Sequence, residues 1–352
     1  MMLDGAFSES DFNKIYAETY NGIVFEKNKN DFPKAYVLGG QPGAGKTSLQ
    51  EIFSRQCENN LIVINGDEFR ALHPDYKRLS EQYGKQCVEY TGAFSGKMTE
   101  TLIEQLKTEK YNVLVEGTLR TAQVPLKTAD EFKKSGYNVT LGIMAVKPQI
   151  SYISTIFRYE KMIEVGESPR ATAKENHDYV VSKIPENLKE IHEKNAFDNI
   201  VIYNRNGECL YDSNIDKSTS PDIVMNNVFY GKWTQNELNQ YYEIGKCTAE
   251  LMERRKAPEL DDFKNTVFNK KIVSALAVNN NLQFSESMKE YFSEEIEKSL
   301  SLSAVEPKGK LSMRETQSNR LKLSETPKSR LQMRDTASLA KPNSKIKNDI
   351  ER

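Results

Sequence analysis

Short apolar runs alternate with amphipathic stretches along the first 215 residues of this chain. Runs with the length and continuous hydrophobicity of buried strands lie at 35–40, 61–65, 111–117 and 137–146. The stretches between and around them repeat apolar residues at helical spacing and predict helices over 8–20, 87–108, Pro125–Gly136, Ile150–Met162 and 172–194. Strands separated by helices predict an α/β fold in which a mostly parallel sheet is flanked by helices.

Two local patterns sharpen this assignment. Residues 199–212 place two apolar segments on either side of a polar turn, so they predict a hairpin with Asn206-Gly207 as its turn. In the helix over 87–108, the apolar residues lie four apart and form one stripe, made of Phe94, Met98, Leu102 and Leu106.

The pattern changes after residue 215. Residues 217–298 show no strand pattern, are polar and compatible with helix, and contain the single tryptophan, Trp233. Further on, KLSMRET at 310–316 recurs as RLKLSET at 320–326 and RLQMRDT at 330–336, a period of ten residues. Each unit is too short and too polar to bury a core. We therefore predict three parts: a domain over 1–215, a helical extension over 216–300, and a disordered tail over 301–352.

Composition narrows the class of protein. The mean hydropathy is −0.65, and no run of about 18 apolar residues exists, which predicts that no helix spans a membrane. The first ten residues lack the basic and apolar regions of a secretory signal. Four scattered cysteines without a CxxC pair, and three distant histidines, argue against a zinc site or a disulfide framework. A cytoplasmic location in a reducing environment fits best.

The charge is distributed unevenly. Residues 306–352 carry 12 Lys and Arg against 6 Asp and Glu, although the whole chain has a formal net charge of −1. An acidic body is thus joined to a basic tail, which can bind acidic surfaces or be modified at Ser and Thr near Arg. A solvated terminus is the simpler interpretation, and the acidic body does not favour nucleic acid as a partner.

A glycine-rich loop carries the strongest chemical signal. Residues 40–47, GQPGAGKT, fit G-x-x-x-x-G-K-[ST] between a predicted strand and a predicted helix, the context of a P-loop NTPase. Glycines let backbone amides converge on phosphate, Lys46 can reach the β and γ oxygens, and Thr47 can bind Mg²⁺. A glycine-rich turn without a ligand is the alternative. The predicted nucleotide contacts are Gly40, Gln41, Pro42, Gly43, Ala44, Gly45, Lys46, Thr47 and Ser48.

A second nucleotide pattern is misplaced. Asn28-Lys29-Asn30-Asp31 matches the guanine-reading N-K-x-D pattern, but it precedes the P-loop and no D-x-x-G motif follows. We interpret it as a polar loop, and a signalling GTPase is disfavoured.

Charged residues follow the next two strands, at the edge where ligands bind in open α/β sheets. Asp67 can accept the proton of an attacking hydroxyl, or it can cap the following helix, and its position leaves both open. Glu116 can hold Mg²⁺ through water, or form a salt bridge with Arg120. Arg120 suits phosphate or carboxylate, or is a solvated charge.

Several motifs together resemble the bacterial zeta toxin family. They are GGQPGAGKTSL at 39–49, NGDEF with His73-Pro74, GKMTE at 96–100, EGTLRT at 116–121, MAVKPQISYISTIFRYEKM at 144–162, PRATAKENHD at 169–178 and YNRNGECLYDS at 203–213. The likeness runs in order from about residue 8 to about residue 215.

The resemblance implies a P-loop kinase that uses ATP and Mg²⁺. Such enzymes phosphorylate the 3′-hydroxyl of the amino sugar in UDP-N-acetylglucosamine, poison peptidoglycan synthesis, and are held inactive by an antitoxin that blocks the nucleotide site. The implied roles are phosphate binding for Lys46, general base for Asp67, and a position near the metal for Glu116 beside Thr47. Arg158 and Arg170 are implied to clamp the triphosphate. The residues implied to line a sugar-nucleotide cleft are Glu100, Thr118, Arg120 and Thr128.

Departures from the family pattern keep alternatives open. Leu119 stands where the family resemblance suggests a small residue, the loop Glu164–Pro169 is about one residue shorter, and the repeat tail is not part of the pattern. A P-loop kinase of another sugar nucleotide or nucleotide is one alternative. A nucleotide-binding interaction or effector protein that docks through its tail is the other.

Overall fold

The apolar runs form the centre of a six-stranded sheet in the computed structural model, which describes residues 4–167, 169–269 and 280–288. The strand order is β2-β3-β1-β4-β5-β6, in which β1 to β5 are parallel and β6 pairs antiparallel with β5 at the edge. The predicted α/β fold is confirmed. The strands are β1 (Lys34–Gly39), β2 (Ile62–Ile64), β3 (Val113–Glu116), β4 (Asn138–Met144), β5 (Asn199–Tyr203) and β6 (Cys209–Asp212).

Helices connect the parallel strands, because a parallel pair cannot be joined by a tight turn. In the described residues they are α1 (Glu9–Val24), α2 (Lys46–Gln56), α3 (Gly66–Phe69), α4 (Tyr76–Tyr83), α5 (Cys87–Tyr90), α6 (Gly92–Thr108), α7 (Gln123–Lys134), α8 (Pro148–Glu164), α9 (Lys174–Glu193), α10 (Pro221–Tyr230), α11 (Gln235–Arg254) and α12 (Leu260–Val267). The helix predicted over 87–108 is interrupted between α5 and α6. Thr91 lies at the break, where both its backbone N–H and its hydroxyl donate to the Cys87 carbonyl.

The hairpin exists, but its predicted turn is wrong. Five residues, 204–208, connect β5 to β6, and Gly207 alone among them has a positive φ, of 80°. The Gly207 N–H donates to the Asn204 carbonyl, and the Asn204 N–H donates to the Glu208 carbonyl. A two-residue type I′ turn would need positive φ at Asn206 as well, so the loop is longer and more open than the dipeptide suggested.

The two faces of the sheet bury different side chains, because successive residues of a strand point to opposite faces. In β1, Ala35 and Val37 belong to the larger core, whereas Tyr36 and Leu38 belong to the smaller one. The larger core is covered by α1, α6, α7, α9 and α10, and the smaller by α2 and the start of α8. The predicted stripe of α6 is completely buried in the larger core and consists of Phe94, Met98, Leu102 and Leu106.

A third core attaches α11 and α12 to the outer side of α8. Ile153 of α8 packs with Leu238 and Tyr242 of α11 and with Phe263 of α12. One ion pair reinforces this contact: the Glu160 carboxylate on α8 accepts from Nε and Nη2 of Arg255 at 2.6 and 2.8 Å. The described residues after β6 form helices only, as predicted, while the proposed boundaries at 215 and 300 remain predictions.

Three further predictions concern the N-K-x-D segment, membrane-spanning helices and the C-terminal tail. Asn28 exchanges hydrogen bonds with Asn60, and Asn30 lies beside Lys110, at the edge where β1, β2 and β3 begin. The N-K-x-D segment is therefore at the opposite edge of the sheet from the P-loop. Among the described residues, no helix combines the length and apolar character needed to cross a bilayer. The disordered tail predicted over 301–352 lies outside the described residues.

The Glu160–Arg255 pair should contribute strongly to stability. The Glu160 side chain is 1% exposed and the Arg255 side chain 26%. Arg255→Met leaves a buried carboxylate without its cation, so we expect the free energy of unfolding in urea to fall by about 3 kcal/mol. The double variant Glu160→Leu/Arg255→Met removes both charges and should recover most of that loss. A single variant as stable as the wild type would show that the pair contributes nothing.

Candidate active site

The loop between β1 and α2 has the conformation of a phosphate cradle. Gly40, Gly43 and Gly45 have φ values of 139°, 74° and 92°, in the region that favours glycine. A Cβ on Gly43 would lie 2.1 Å from the Ser151 carbonyl oxygen, so the loop rests directly on the backbone of α8. Gly45 precedes the first turn of α2, whose free N–H groups and dipole favour an anion.

The side chains of this loop divide into two groups. Gln41 and Ala44 are fully buried, and Gln41 Nε2 donates to the Val146 carbonyl at 2.9 Å, so Gln41 can offer only its main chain to a phosphate. Thr47 and Ser48 are exposed in the first turn of α2. The Thr47 hydroxyl is thus open to a metal ion bound beside the phosphates.

Lys46 lies in the space at the carboxyl ends of β1, β3 and β2, which is called the cleft below. Its side chain is 11% exposed, and its Nζ lies 3.5 Å from Glu116 Oε1 and 3.4 Å from the Gly40 carbonyl. Burial lowers the pKa of Lys46, while the negative charges of Glu116 and Asp67 act in the opposite direction. Glu116 therefore pairs with Lys46, and its predicted alternative, a salt bridge with Arg120, is wrong.

Glu116 and Thr47 present the oxygen donors that Mg²⁺ prefers. Glu116 ends β3, next to the strand that leads into the P-loop, and Gln50 Nε2 donates to its Oε2 at 2.9 Å. The described residues contain no group of three or more His, Cys, Asp and Glu that could hold a metal ion by themselves. This donor set fits Mg²⁺ held jointly with phosphate oxygens, the usual arrangement for that ion.

Asp67 lies at the start of α3, directly after β2. Asn65 caps this helix, because its side-chain oxygen accepts from the Asp67 N–H at 3.1 Å, so the alternative that Asp67 is the cap is wrong. The Asp67 side chain is 68% exposed, and its Oδ1 accepts from Arg70 Nε at 3.0 Å. No donor among the described residues reaches Oδ2, which leaves this oxygen open to a hydroxyl.

Two arginines approach the same cleft from α8 and the segment that follows it. Partial burial lowers the pKa of Arg158; the positive charge of Arg170 lowers it further, while Asp67 and Glu116 raise it. Arg158 also lowers the pKa of Lys46. Since the carboxyl ends of β2, β3 and β1 are neighbours, these interactions bring all five charged residues around one cleft.

The four residues predicted to line a sugar-nucleotide cleft lie on α6, after β3 and on α7. No hydrogen bond or ion pair joins them to Lys46 or Asp67 within the described structure. Glu100 is exposed on α6 one turn after Gly96, where an added Cβ would meet nothing within 4 Å. Arg120 is exposed with its Cζ 5.3 Å from the centroid of Tyr179. Half-buried Thr118 follows β3, and Thr128 Oγ1 donates to the Val124 carbonyl on α7.

Leu119, which stands where the family resemblance suggests a small residue, does not face the cleft. Its side chain is buried in the larger core, where a Cβ on Gly39 would meet its Cδ1 at 2.3 Å. Its φ is 55°, a strained value for leucine that costs about 1 kcal/mol or more. Asn187 Nδ2 donates to its carbonyl at 2.8 Å and helps to hold this conformation.

Sequence reasoning missed Arg205, in the loop between β5 and β6. Its guanidinium donates to the carbonyls of Gly43 and Ala44, and to Ser154 Oγ at 2.9 Å. Burial lowers its pKa to about 10. By engaging carbonyls on the outer side of the P-loop, Arg205 helps to keep the amides turned inward. No spacing rule marks this arginine, which lies within the YNRNG segment used only for the family likeness.

Comparisons with known proteins agree with the motifs. The family model described as "Zeta toxin" matches residues 21–216. Toxin PezT of Streptococcus pneumoniae is 40% identical over 249 residues, which cover 70% of this chain and 98% of that protein. Toxin zeta of Streptococcus pyogenes is 35% identical over 254 residues, covering 72% and 88%.

A solved structure gives the same result. It comes from work on the PezAT chromosomal toxin-antitoxin system of Streptococcus pneumoniae. The two folds superpose with a TM-score of 0.67 at 39% identity, covering 71% of this chain and all of that one.

Removing Arg205 should weaken nucleotide binding. Arg205→Met abolishes two hydrogen bonds to P-loop carbonyls, and we expect MgATP affinity, measured by isothermal titration calorimetry, to fall about tenfold or more. Arg55→Met is the matched control, because Arg55 is exposed on α2 and forms an ion pair with the exposed Glu51 at 3.9 Å. Equal affinities for the two variants would contradict the role of Arg205.

Proposed function

Because this chain belongs to the zeta toxin family, we propose that it is an ATP- and Mg²⁺-dependent kinase that phosphorylates the 3′-hydroxyl of the amino sugar in UDP-N-acetylglucosamine. The observation that supports the proposal is that Asp67, which follows β2, lies close enough to Lys46 for its negative charge to oppose the lowering of the Lys46 pKa. Lys46 belongs to the phosphate cradle, and Asp67 has an open carboxylate oxygen on the acceptor side.

The charges of the cleft favour a triphosphate. Lys46, Arg158 and Arg170 bring three cations together against the carboxylates of Asp67 and Glu116. The positive charge of Arg170 disfavours the charged form of Arg158. An anion between the two arginines would relieve that repulsion. The amides of the P-loop add partial positive charge at the same place.

Phosphoryl transfer then depends on positioning and on neutralising charge. The P-loop amides and Lys46 hold the β- and γ-phosphates, while Asp67 Oδ2 accepts the proton of the attacking sugar hydroxyl. Arg158 and Arg170 neutralise negative charge that spreads over the transferred group. Thr47, and Glu116 through water, would hold Mg²⁺, which would supply positive charge that offsets part of the phosphate charge.

Glu100, Thr118, Arg120 and Thr128 are proposed to bind the sugar nucleotide. The helix α6, which carries Glu100, packs beside Asp67, because Ser95 on α6 donates to the Gly66 carbonyl. Arg120 has the planar donor fork that suits a diphosphate. The alternative of another sugar nucleotide remains open, although Leu119, the residue that suggested it, is buried. The alternative of docking through the tail concerns residues outside the described structure.

The family also suggests a partner and a setting. The S. pneumoniae structure was determined as part of work on a toxin-antitoxin system. We propose that this chain likewise acts as a toxin on cell-wall synthesis in the cytoplasm and is held inactive by an antitoxin that covers the nucleotide site.

The direct test is incubation with MgATP and UDP-N-acetylglucosamine, followed by phosphorus NMR and mass spectrometry of the product. We expect one added phosphate on the 3′-oxygen of the sugar, together with release of ADP. A panel of other sugar nucleotides serves as the comparison. Exclusive phosphorylation of one of those would overturn the proposed substrate while leaving the kinase assignment intact.

Replacing the proposed base should abolish turnover without affecting nucleotide binding. Asp67→Asn cannot accept the hydroxyl proton, so we expect kcat, measured by ADP release, to fall about 10²–10⁴-fold. The affinity for MgATP should change little. Asp75→Asn is the matched control. Asp75 forms a salt bridge at 3.1 Å with Arg78, which lies three residues later, just as Asp67 forms one with Arg70. Unchanged turnover in Asp67→Asn would rule out this residue as the base.

A further inference from the structure

A buried chain of hydrogen bonds joins the P-loop to the first turn of α9. Gln41 Nε2 lies 3.3 Å from Ser151 Oγ, and Ser151 Oγ lies 2.8 Å from His177 Nε2. His177 Nδ1 in turn lies 3.0 Å from Asp178 Oδ1. Gln41, Ser151 and His177 are all 0% exposed, so the chain runs through the interior until it reaches Asp178 at the surface.

The order Ser–His–Asp has the composition of a nucleophilic triad, but it cannot act as one. A triad serine must reach its substrate, whereas the Ser151 hydroxyl is enclosed between α8, α9 and the P-loop. The value of the chain must then lie in what it holds in place. His177 and Asp178 belong to the PRATAKENHD segment, and the proposed mechanism uses neither of them.

Ser151 is the junction of this arrangement. Its side chain contacts Gln41 and His177, and its backbone carbonyl lies beneath Gly43, where a Cβ would approach to 2.1 Å. Two residues of the P-loop therefore depend on the position of one turn of α8. His177 contacts the Ser151 hydroxyl from the side of α9, and the Pro148 carbonyl contacts the same hydroxyl at 2.9 Å.

Proton placement along the chain is determined by its surface end. The Asp178 carboxylate can only accept, so His177 Nδ1 carries a proton. Nε2 of the neutral ring can then accept the single proton of the Ser151 hydroxyl, for which the Pro148 carbonyl at 2.9 Å is a second acceptor. Ser151 Oγ is then free to accept from Gln41. Burial lowers the pKa of His177, against the opposing effect of Asp178, which favours this neutral form near pH 7. The other groups facing His177 are Lys174 on α9 and Tyr152 on α8.

We propose that His177 is a positioning residue for the phosphate cradle, which it orients through Ser151 and Gln41. It touches neither nucleotide nor acceptor. Its contribution is to fix the hydroxyl that anchors the side chain of Gln41, so that the first half of the P-loop keeps its amides directed at the phosphates. The inference rests on the proposed function only in assuming that the P-loop binds MgATP.

Two substitutions of His177 distinguish its hydrogen bond to Ser151 from its hydrogen bond to Asp178. His177→Gln places an amide near the former Nε2 and can keep the bond to Ser151, whereas His177→Asn places it near Nδ1 and can keep only the bond to Asp178. We expect His177→Asn to weaken MgATP binding roughly tenfold, the loss of about one buried hydrogen bond, and His177→Gln to remain within threefold of the wild type. Calorimetric titration with MgATP measures both, and His192→Asn at the other end of α9 is the control.

The same variants distinguish positioning from general damage. The KM for the sugar nucleotide should stay constant in all of them, while kcat/KM for ATP falls in His177→Asn and recovers in His177→Gln. Equal loss in both variants, or wild-type affinity in His177→Asn, would overturn the proposal. MgATP binding needs no acceptor, so a wild type that binds MgATP without phosphorylating UDP-N-acetylglucosamine would contradict the proposed function and leave this inference to be decided by the titrations.

Discussion

The contact between the P-loop and α8 is the constraint on which the rest of the site depends. Gly43 lies so close to the Ser151 carbonyl that a single methyl group would not fit. One helix therefore supports the phosphate cradle, carries Arg158 about two turns further along, and receives Arg205 through Ser154. The same helix anchors α11 and α12 on its far side through Ile153 and Glu160. Parts of the cleft that are distant in sequence thus share one rigid support.

The cations of the cleft are incompletely neutralised, and a triphosphate would supply the missing negative charge. Lys46 is largely buried, with Glu116 as its ion-pair partner at the long distance of 3.5 Å. Arg158 lies near the positive charge of Arg170. A largely buried cation with incomplete pairing, such as Lys46, is costly in an empty cleft and becomes favourable when an anion enters it. The resting protein gives up some stability so that the site is already arranged when the nucleotide binds.

Local sequence was sufficient for the fold and for the phosphate cradle, because both depend on patterns that are close together along the chain. The apolar runs became strands, the α6 stripe was buried, and the glycines of residues 40–45 adopted the expected conformations. Errors arose where partners were chosen by proximity in sequence. The alternative partner considered for Glu116 was Arg120, four residues away, whereas parallel pairing places Glu116 beside the strand that leads to Lys46. Arg205 and His177 were missed because they meet the P-loop only after the hairpin and α9 have packed.

Gly39 and Leu119 form a fitted pair at the end of β1. The leucine occupies the space that any side chain at position 39 would need, and it does so from a left-handed backbone conformation held by Asn187. Neither position can therefore drift independently during evolution. A larger residue at 39 requires a smaller one at 119, so substitutions at these two sites should be correlated among homologous sequences, with the reduction at 119 preceding any increase at 39.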